Sequence, residues 1–169
     1  MLIGISLGPG DPDLLTLKAA AALRSCSRVF VPGGMASDLV RPYCQPELLD
    51  FPMIHDQEEL ERIWKKNAAI VAEAASSASA AFACIGDVNT FSTFSHLERM
   101  IRDNYQGIEI QTIPGVGVVP ALASRFPAPL EGSFMVSDGS PMDTFIRIKA
   151  TRPRKLAEEL QERGFEEFV

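Results

Sequence analysis

The chain has 169 residues, 46% hydrophobic and 22% charged, with a net charge of −6 at pH 7. That length buries a sizeable core or two small lobes. The acidic balance argues against a general nucleic-acid binder, whose surface must neutralise phosphates, yet a local arginine cluster can still meet an anionic small molecule.

Cys26, Cys44 and Cys84 form no C-x-x-C pair. Neither a zinc site nor a disulfide framework is indicated, and the expectation is reduced thiols in a cytoplasmic protein. The N-terminus carries no basic segment and no cleavage site, and the apolar stretches are broken by Lys18, Arg24 or Asp87. No signal peptide, no membrane span and a soluble protein are therefore expected.

Residues 2–7, Leu-Ile-Gly-Ile-Ser-Leu, read as a buried strand that Gly8-Pro9-Gly10-Asp11-Pro12 stops abruptly. Residues 14–24 read as a helix with Leu14, Leu17, Ala21 and Leu23 on its apolar face. Asp11 and Asp13 favour its positive N-terminal end. Residues 28–31 form a second strand closed by Pro32-Gly33-Gly34, and a helical stretch follows from Ser37 until Pro42 and Pro46 interfere. A short strand is expected at 48–51. Residues 57–75 form the clearest long helix, with Leu60, Trp64, Ala68 and Val71 at helical spacing and Glu61–Lys65 as an i,i+4 pair.

Residues 80–85 are apolar on both faces, as a central strand is. A helix is expected at 93–104, with Phe94, Leu97 and Ile101 inward, and a strand at 108–113. Strands alternating with helices predict an α/β fold with a mostly parallel sheet and helices on both faces. Beyond 113 the composition shifts: Pro114, Pro120, Pro127 and Pro129 crowd together with Gly115, Gly117 and Gly132. This places an N-terminal lobe at 1–112 and a short mixed α/β C-terminal lobe at 113–169. The second lobe is expected to hold strands at 133–137 and 144–150, a helix at 154–163 and a strand start at 165–169. The chain stops mid-pattern there, which suggests a missing C-terminal segment or a minimal second lobe.

In an open α/β sheet, small ligands bind at the carboxyl ends of the strands. Two turns sit there: Gly8-Pro9-Gly10, and Gly86-Asp87-Val88-Asn89-Thr90-Phe91-Ser92-Thr93-Phe94. The first lacks the third glycine of a dinucleotide fingerprint, since Asp13 stands in its place, and a plain strand-to-helix turn explains it equally well. No P-loop is present. Asp87 would sit at a strand tip, where a carboxylate accepts hydrogen bonds from an ammonium, a hydroxyl or a backbone N–H, or caps a helix. Thr90, Ser92 and Thr93 either meet a ligand or cap the helix at Thr93. Phe91 and Phe94 either line a flat pocket or belong to the core. His55 and His96 are the only histidines and lack partners at metal spacing, so no metal site and no Ser/His/Asp set is expected.

Taken together, Gly8-Pro9-Gly10-Asp11-Pro12 with Leu14-Leu15-Thr16-Leu17-Lys18-Ala19, Gly86-Asp87 with Phe91-Ser92-Thr93-Phe94, and Ile113-Pro114-Gly115-Val116 resemble the three motifs of the tetrapyrrole (corrin/porphyrin) methylases, in order. The aromatic-Ser-Thr-Phe form of the second motif is similar to the branch that methylates carbon 20 of precorrin-2 or its cobalt complex in cobalamin biosynthesis. The uroporphyrinogen III methylase and diphthine synthase are rivals within the fold, and a non-catalytic cofactor-binding module is a rival outside the enzyme class.

The resemblance implies a two-lobed α/β homodimer that binds S-adenosyl-L-methionine (SAM) and releases S-adenosyl-L-homocysteine. By matching positions, the cofactor would meet Pro9, Ile85, Gly86, Asp87, Thr90, Gly117, Val118 and Ile148. Neither a nucleic acid nor a membrane is implied as a partner. An anionic tetrapyrrole would be opposed by Arg99, Arg125, Arg147, Arg152 and Arg154. Val88 stands where the family has a proline, and Gly117 where it commonly has a serine or threonine. The second lobe has only residues 138–143 where the family has a helix.

Overall fold

The computed structural model describes residues 1–125, 135–136, 139 and 152–164. Contacts group the chain into two compact units, Met1–Pro129 and Leu130–Val169. The lobe boundary read at 112/113 lies inside the first of them.

The first unit is built on strands β1 (Leu2–Ser6), β2 (Arg28–Val31), β3 (Glu47–Leu48), β4 (Ala80–Cys84) and β5 (Ile110–Ile113). They form one five-stranded parallel sheet in the order β3-β2-β4-β1-β5. All five residues of β4 are buried, as expected of a strand apolar on both faces. The register pairs Leu2 with Ala80 and Ser6 with Cys84, and Ile5 with Ile113. β1, β4 and β5 therefore release their chains side by side at one edge.

Alternate side chains feed two cores. Leu2, Phe30, Phe82 and Cys84 pack with helices α3 (Gln57–Ser77) and α4 (Thr93–Asn104) on one face. Ile5, Val29, Val31, Ala81, Ala83 and Ile113 pack with α1 (Leu17–Ser25) and α2 (Gly34–Val40) on the other. Helices thus cover both faces. Trp64 of α3 stacks on His96 of α4 at 4.3 Å between ring centroids. Burial and the neighbouring Arg99 hold the imidazole below its ordinary pKa.

Helix starts follow capping chemistry more than apolar spacing. Asp56 Oδ1 accepts from the N–H groups of Glu58 and Glu59, and α3 begins at Gln57 as expected. The helix expected at 14–24 begins later. Pro12–Leu14 forms one 3-10 turn, in which Asp11 accepts from Asp13 N–H at 3.0 Å. Thr16 Oγ1 then accepts from Ala19 N–H and starts α1 at Leu17. Leu17 is consequently 91% exposed, and Ala19 and Leu23, four residues apart, supply the buried face.

Ser92, not Thr93, caps α4, accepting from Phe94 N–H at 3.1 Å. The strands at the sheet edges are shorter than their apolar runs suggest, β3 being Glu47–Leu48 and β5 starting at Ile110. α2 starts at Gly34 rather than Ser37. The proline-rich stretch after 113 contains a helix that its composition conceals, α5 (Val118–Ala123). Pro120 fits there because the first turn needs no backbone N–H donor.

In the second unit, α6 (Pro153–Gln161) opens with proline at its first position and carries most of the helix expected at 154–163. The strands expected at 144–150 and 165–169, and most of that at 133–137, lie outside the described residues.

Gly4 is a packing position. A Cβ on it would lie 2.6 Å from Phe94 Cε1, and Phe94 is fully buried with its ring 6.1 Å from that of Phe82. Gly4→Ala is expected to lower stability by about 1–2 kcal/mol through overpacking. Trimming the ring with Phe94→Leu in the same chain should recover part of that loss. Urea midpoints for both singles and the double variant test this; strictly additive effects would show that the ring is not what Gly4 accommodates.

Candidate functional site

The first two turns are joined directly. Gly8 N–H donates to Gly86 O at 3.2 Å and Gly86 N–H donates to Gly8 O at 2.7 Å, an antiparallel bridge beyond the ends of β1 and β4. Both glycines need the left-handed region, with φ of +73° and +83°. The bridge sets Pro9 against the Ile85-Gly86-Asp87 segment.

Asp87 ties in the third turn. Its Oδ2 accepts from Gly115 N–H at 2.8 Å and from Ser6 Oγ at 3.3 Å, while Oδ1 accepts from Asn89 N–H at 2.8 Å. The fully buried Ser6 also accepts from Val88 N–H at 2.9 Å. One carboxylate thus links the last residue of β1 to the turns that follow β4 and β5. Burial raises its pKa, but the hydrogen bonds from Gly115, Asn89 and Ser6 outweigh that and hold it below the ordinary aspartate value. It is ionised at neutral pH. Asp87 caps no helix.

The third turn approaches closely because Gly115 has no side chain. A Cβ there would lie 2.5 Å from Ser6 Cβ. Gly117 is less crowded, with a Cβ position 3.9 Å from Asp87 Cβ. Over Gly10 and Gly86 the space is open: an added Cβ would meet nothing within 4 Å at either.

Pro9, Ile85, Gly86, Asp87 and Gly117 are half-buried at this edge, whereas Thr90 and Val118 are exposed. Thr90 N–H donates to the Asp87 carbonyl at 3.2 Å, and Val118 is the first residue of α5. Ile148 and Arg147 lie outside the described residues. Arg99 and Arg125 are exposed in the first unit, and Arg152 and Arg154 in the second.

The two phenylalanines of the second motif part company. Phe94 belongs to the core, while Phe91 is 69% exposed. Sequence reasoning missed Ser6, and it named Gly115 in the third motif without its bond to Asp87. The signal available for Ser6 was a lone hydroxyl in an apolar strand, one residue before its end. Among the described residues, no group of three or more His, Cys, Asp or Glu is placed to hold a metal ion, and no helix is long and apolar enough to cross a membrane.

The chain is 29% identical over 156 residues to the Methanocaldococcus jannaschii protein named "Probable cobalt-precorrin-2 C(20)-methyltransferase", covering 85% of this chain and 66% of that one. It is 38% identical over 78 residues to the cobalt-precorrin-2 C(20)-methyltransferase of Salmonella typhimurium, covering 40% of this chain and 33% of that one. The chain therefore spans two thirds or less of the length of these curated relatives. In fold it is similar to the crystal structure of the methyltransferase CobJ, with a TM-score of 0.62 at 22% identity over 94% of this chain and 61% of that one. It is similar also to the uroporphyrin-III-C-methyltransferase of Thermus thermophilus, with a TM-score of 0.54 at 22% identity over 73% and 51% of the two chains. The family model for tetrapyrrole (corrin/porphyrin) methylases matches residues 1–165, and the chain belongs to that family.

Proposed function

We propose that this chain is a SAM-dependent C-methyltransferase acting on carbon 20 of precorrin-2 or its cobalt complex. The observation that carries the reading is the joining of three strand ends, the first turn bridged to Gly86 and the third bonded to Asp87, beside open space over Gly10 and Gly86. The substrate is supported by the names of the two curated relatives.

The residues fit SAM. Backbone without side chains at Gly10 and Gly86 lets a ligand approach it closely, and the ionised Asp87 is an acceptor at the same edge for a ribose hydroxyl or an ammonium. Pro9, Ile85, Gly86, Asp87, Thr90, Gly117 and Val118, all in the first unit, are assigned to it. When bound, the cofactor would supply an electrophilic methyl on a sulfonium, whose transfer to the acceptor carbon would leave a neutral thioether and release that carbon's proton.

The work left to the chain is alignment and exclusion of water. The bridged glycines and the Asp87 network supply a rigid backbone wall for that purpose. A homodimer is assigned on the family resemblance. The acidic composition supports a reading without nucleic acid.

Calorimetry with SAM and S-adenosylhomocysteine should show micromolar binding. Incubation with SAM and either metal-free or cobalt-bearing precorrin-2 should add one methyl, placed at carbon 20 by NMR. Absence of cofactor binding would end the reading, and methylation of uroporphyrinogen III instead would move the chain to another branch.

A further inference from the structure

Phe91 is the one non-glycine residue in the left-handed region among those described, with φ of 48°. That conformation is disfavoured for any residue with a Cβ, and most for a bulky one. Its ring is also 69% exposed. A lone exposed apolar side chain is ordinary, but an exposed ring held in strained backbone is not.

The strain does not come from a loose loop. On one side, Asn89 N–H donates to Asp87 Oδ1 at 2.8 Å and Thr90 N–H to Asp87 O at 3.2 Å. On the other, Ser92 Oγ caps α4 and meets Cys84 Sγ at 3.2 Å, and Phe94 is locked in the core against Phe82. Between these anchors the chain turns left-handed and the ring points away from both cores. Glycine would make the same turn without strain. A phenylalanine here adds little burial to the fold. What it offers is a flat, polarisable apolar face at the carboxyl edge of the sheet, one residue from Thr90 and four from Asp87.

We propose that Phe91 is a specificity-determining residue whose ring lies against the face of the tetrapyrrole acceptor. It favours a flat conjugated macrocycle over non-planar acceptors and shields the accepting carbon from water. The proposal rests on the methyltransferase reading above.

The test compares Phe91→Gly and Phe91→Tyr with the unaltered full chain. Three quantities are measured: the urea midpoint, SAM affinity by calorimetry, and KM and kcat for precorrin-2. Phe91→Gly should unfold at the same or a higher urea concentration, because the backbone strain is relieved. Its SAM affinity should stay within about twofold, while its KM for precorrin-2 rises by about tenfold or more. Phe91→Tyr, which keeps the plate, should stay within about threefold of the unaltered chain in KM.

An unchanged KM in Phe91→Gly would overturn the proposal. So would a parallel loss of SAM affinity, which would tie the ring to the cofactor, or a dimer that dissociates with KM unmoved, which would give the ring to a second copy of the chain. If the unaltered chain itself neither binds SAM nor methylates precorrin-2, the parent reading falls and this one falls with it.

Discussion

Asp87→Ala is expected to lower stability by about 2–4 kcal/mol and to weaken SAM binding by about 100-fold or more. The variant removes the acceptor of three donors at once: Gly115 N–H, Asn89 N–H and Ser6 Oγ. Hydrogen bonds to a charged group contribute about 1.5–3 kcal/mol each, and solvent access at this half-buried site reduces their sum. The binding loss, about 2.7 kcal/mol for 100-fold, is thus comparable with the stability loss. Once the link to Gly115 is gone, the third turn is no longer held against the second, and the acceptor offered to the cofactor is gone as well.

Both effects can be read on one sample. Urea unfolding gives the stability, and calorimetry under conditions where the variant is fully folded gives the affinity. A variant within about 0.5 kcal/mol of the unaltered chain would show that Asp87 holds nothing together.

The same carboxylate makes stability depend on pH. Its folded pKa lies below the ordinary value, so the native state binds fewer protons than the unfolded chain. The stabilisation is complete above the ordinary aspartate pKa of about 4 and is lost as pH falls through the depressed folded value. Asp87→Asn should flatten that acid limb. Its amide keeps one oxygen but must turn an NH2 toward either Gly115 or Asn89, so it should be less stable than the parent at neutral pH and lose less on acidification. Glu47, lowered mainly by its hydrogen bonds to Arg28, titrates in the same direction in both proteins. The difference between the two curves therefore isolates Asp87.

The fold was legible wherever a local pattern decides the structure. β4 is apolar at every position, and α4 repeats Phe94, Leu97 and Ile101. Where two local signals compete, apolar spacing alone misleads. Leu14 and Leu17 share the helical phase, but Thr16 offers a better cap, and the helix starts beyond it.

The turns of the site were legible as glycines and an aspartate at strand ends. Their mutual geometry was not, because Ser6 and Asp87 lie 81 residues apart and Asp87 and Gly115 lie 28 apart. Only the parallel register of β1 between β4 and β5 brings them together. The opposite fates of Phe91 and Phe94 follow from the same kind of distant cause. The Ser92 cap and the space left by Gly4 decide which ring enters the core.

Gly115→Ala should lower stability by about 2–3 kcal/mol and SAM affinity by about tenfold. A Cβ at this position would lie 2.5 Å from Ser6 Cβ and 3.4 Å from both Ser6 O and Gly86 O. At Gly4 the obstacle is the edge of a ring, whereas here it is the root of a side chain on a strand paired on both sides. β1 cannot yield without breaking the sheet, so the third turn must move outward. That movement stretches the 2.8 Å bond from Gly115 N–H to Asp87 and displaces Gly117 and Val118 from the positions proposed to meet the cofactor. Gly117→Ala is the control, since its Cβ would make only an ordinary contact 3.9 Å from Asp87 Cβ. It should be tolerated within about 0.5 kcal/mol. In a Ser6→Gly background the clash is absent and the Asp87 network is already weakened, so adding Gly115→Ala should have much less effect there than in the parent. Equal effects in the two backgrounds would mean that the turn is positioned by something other than its contact with Ser6.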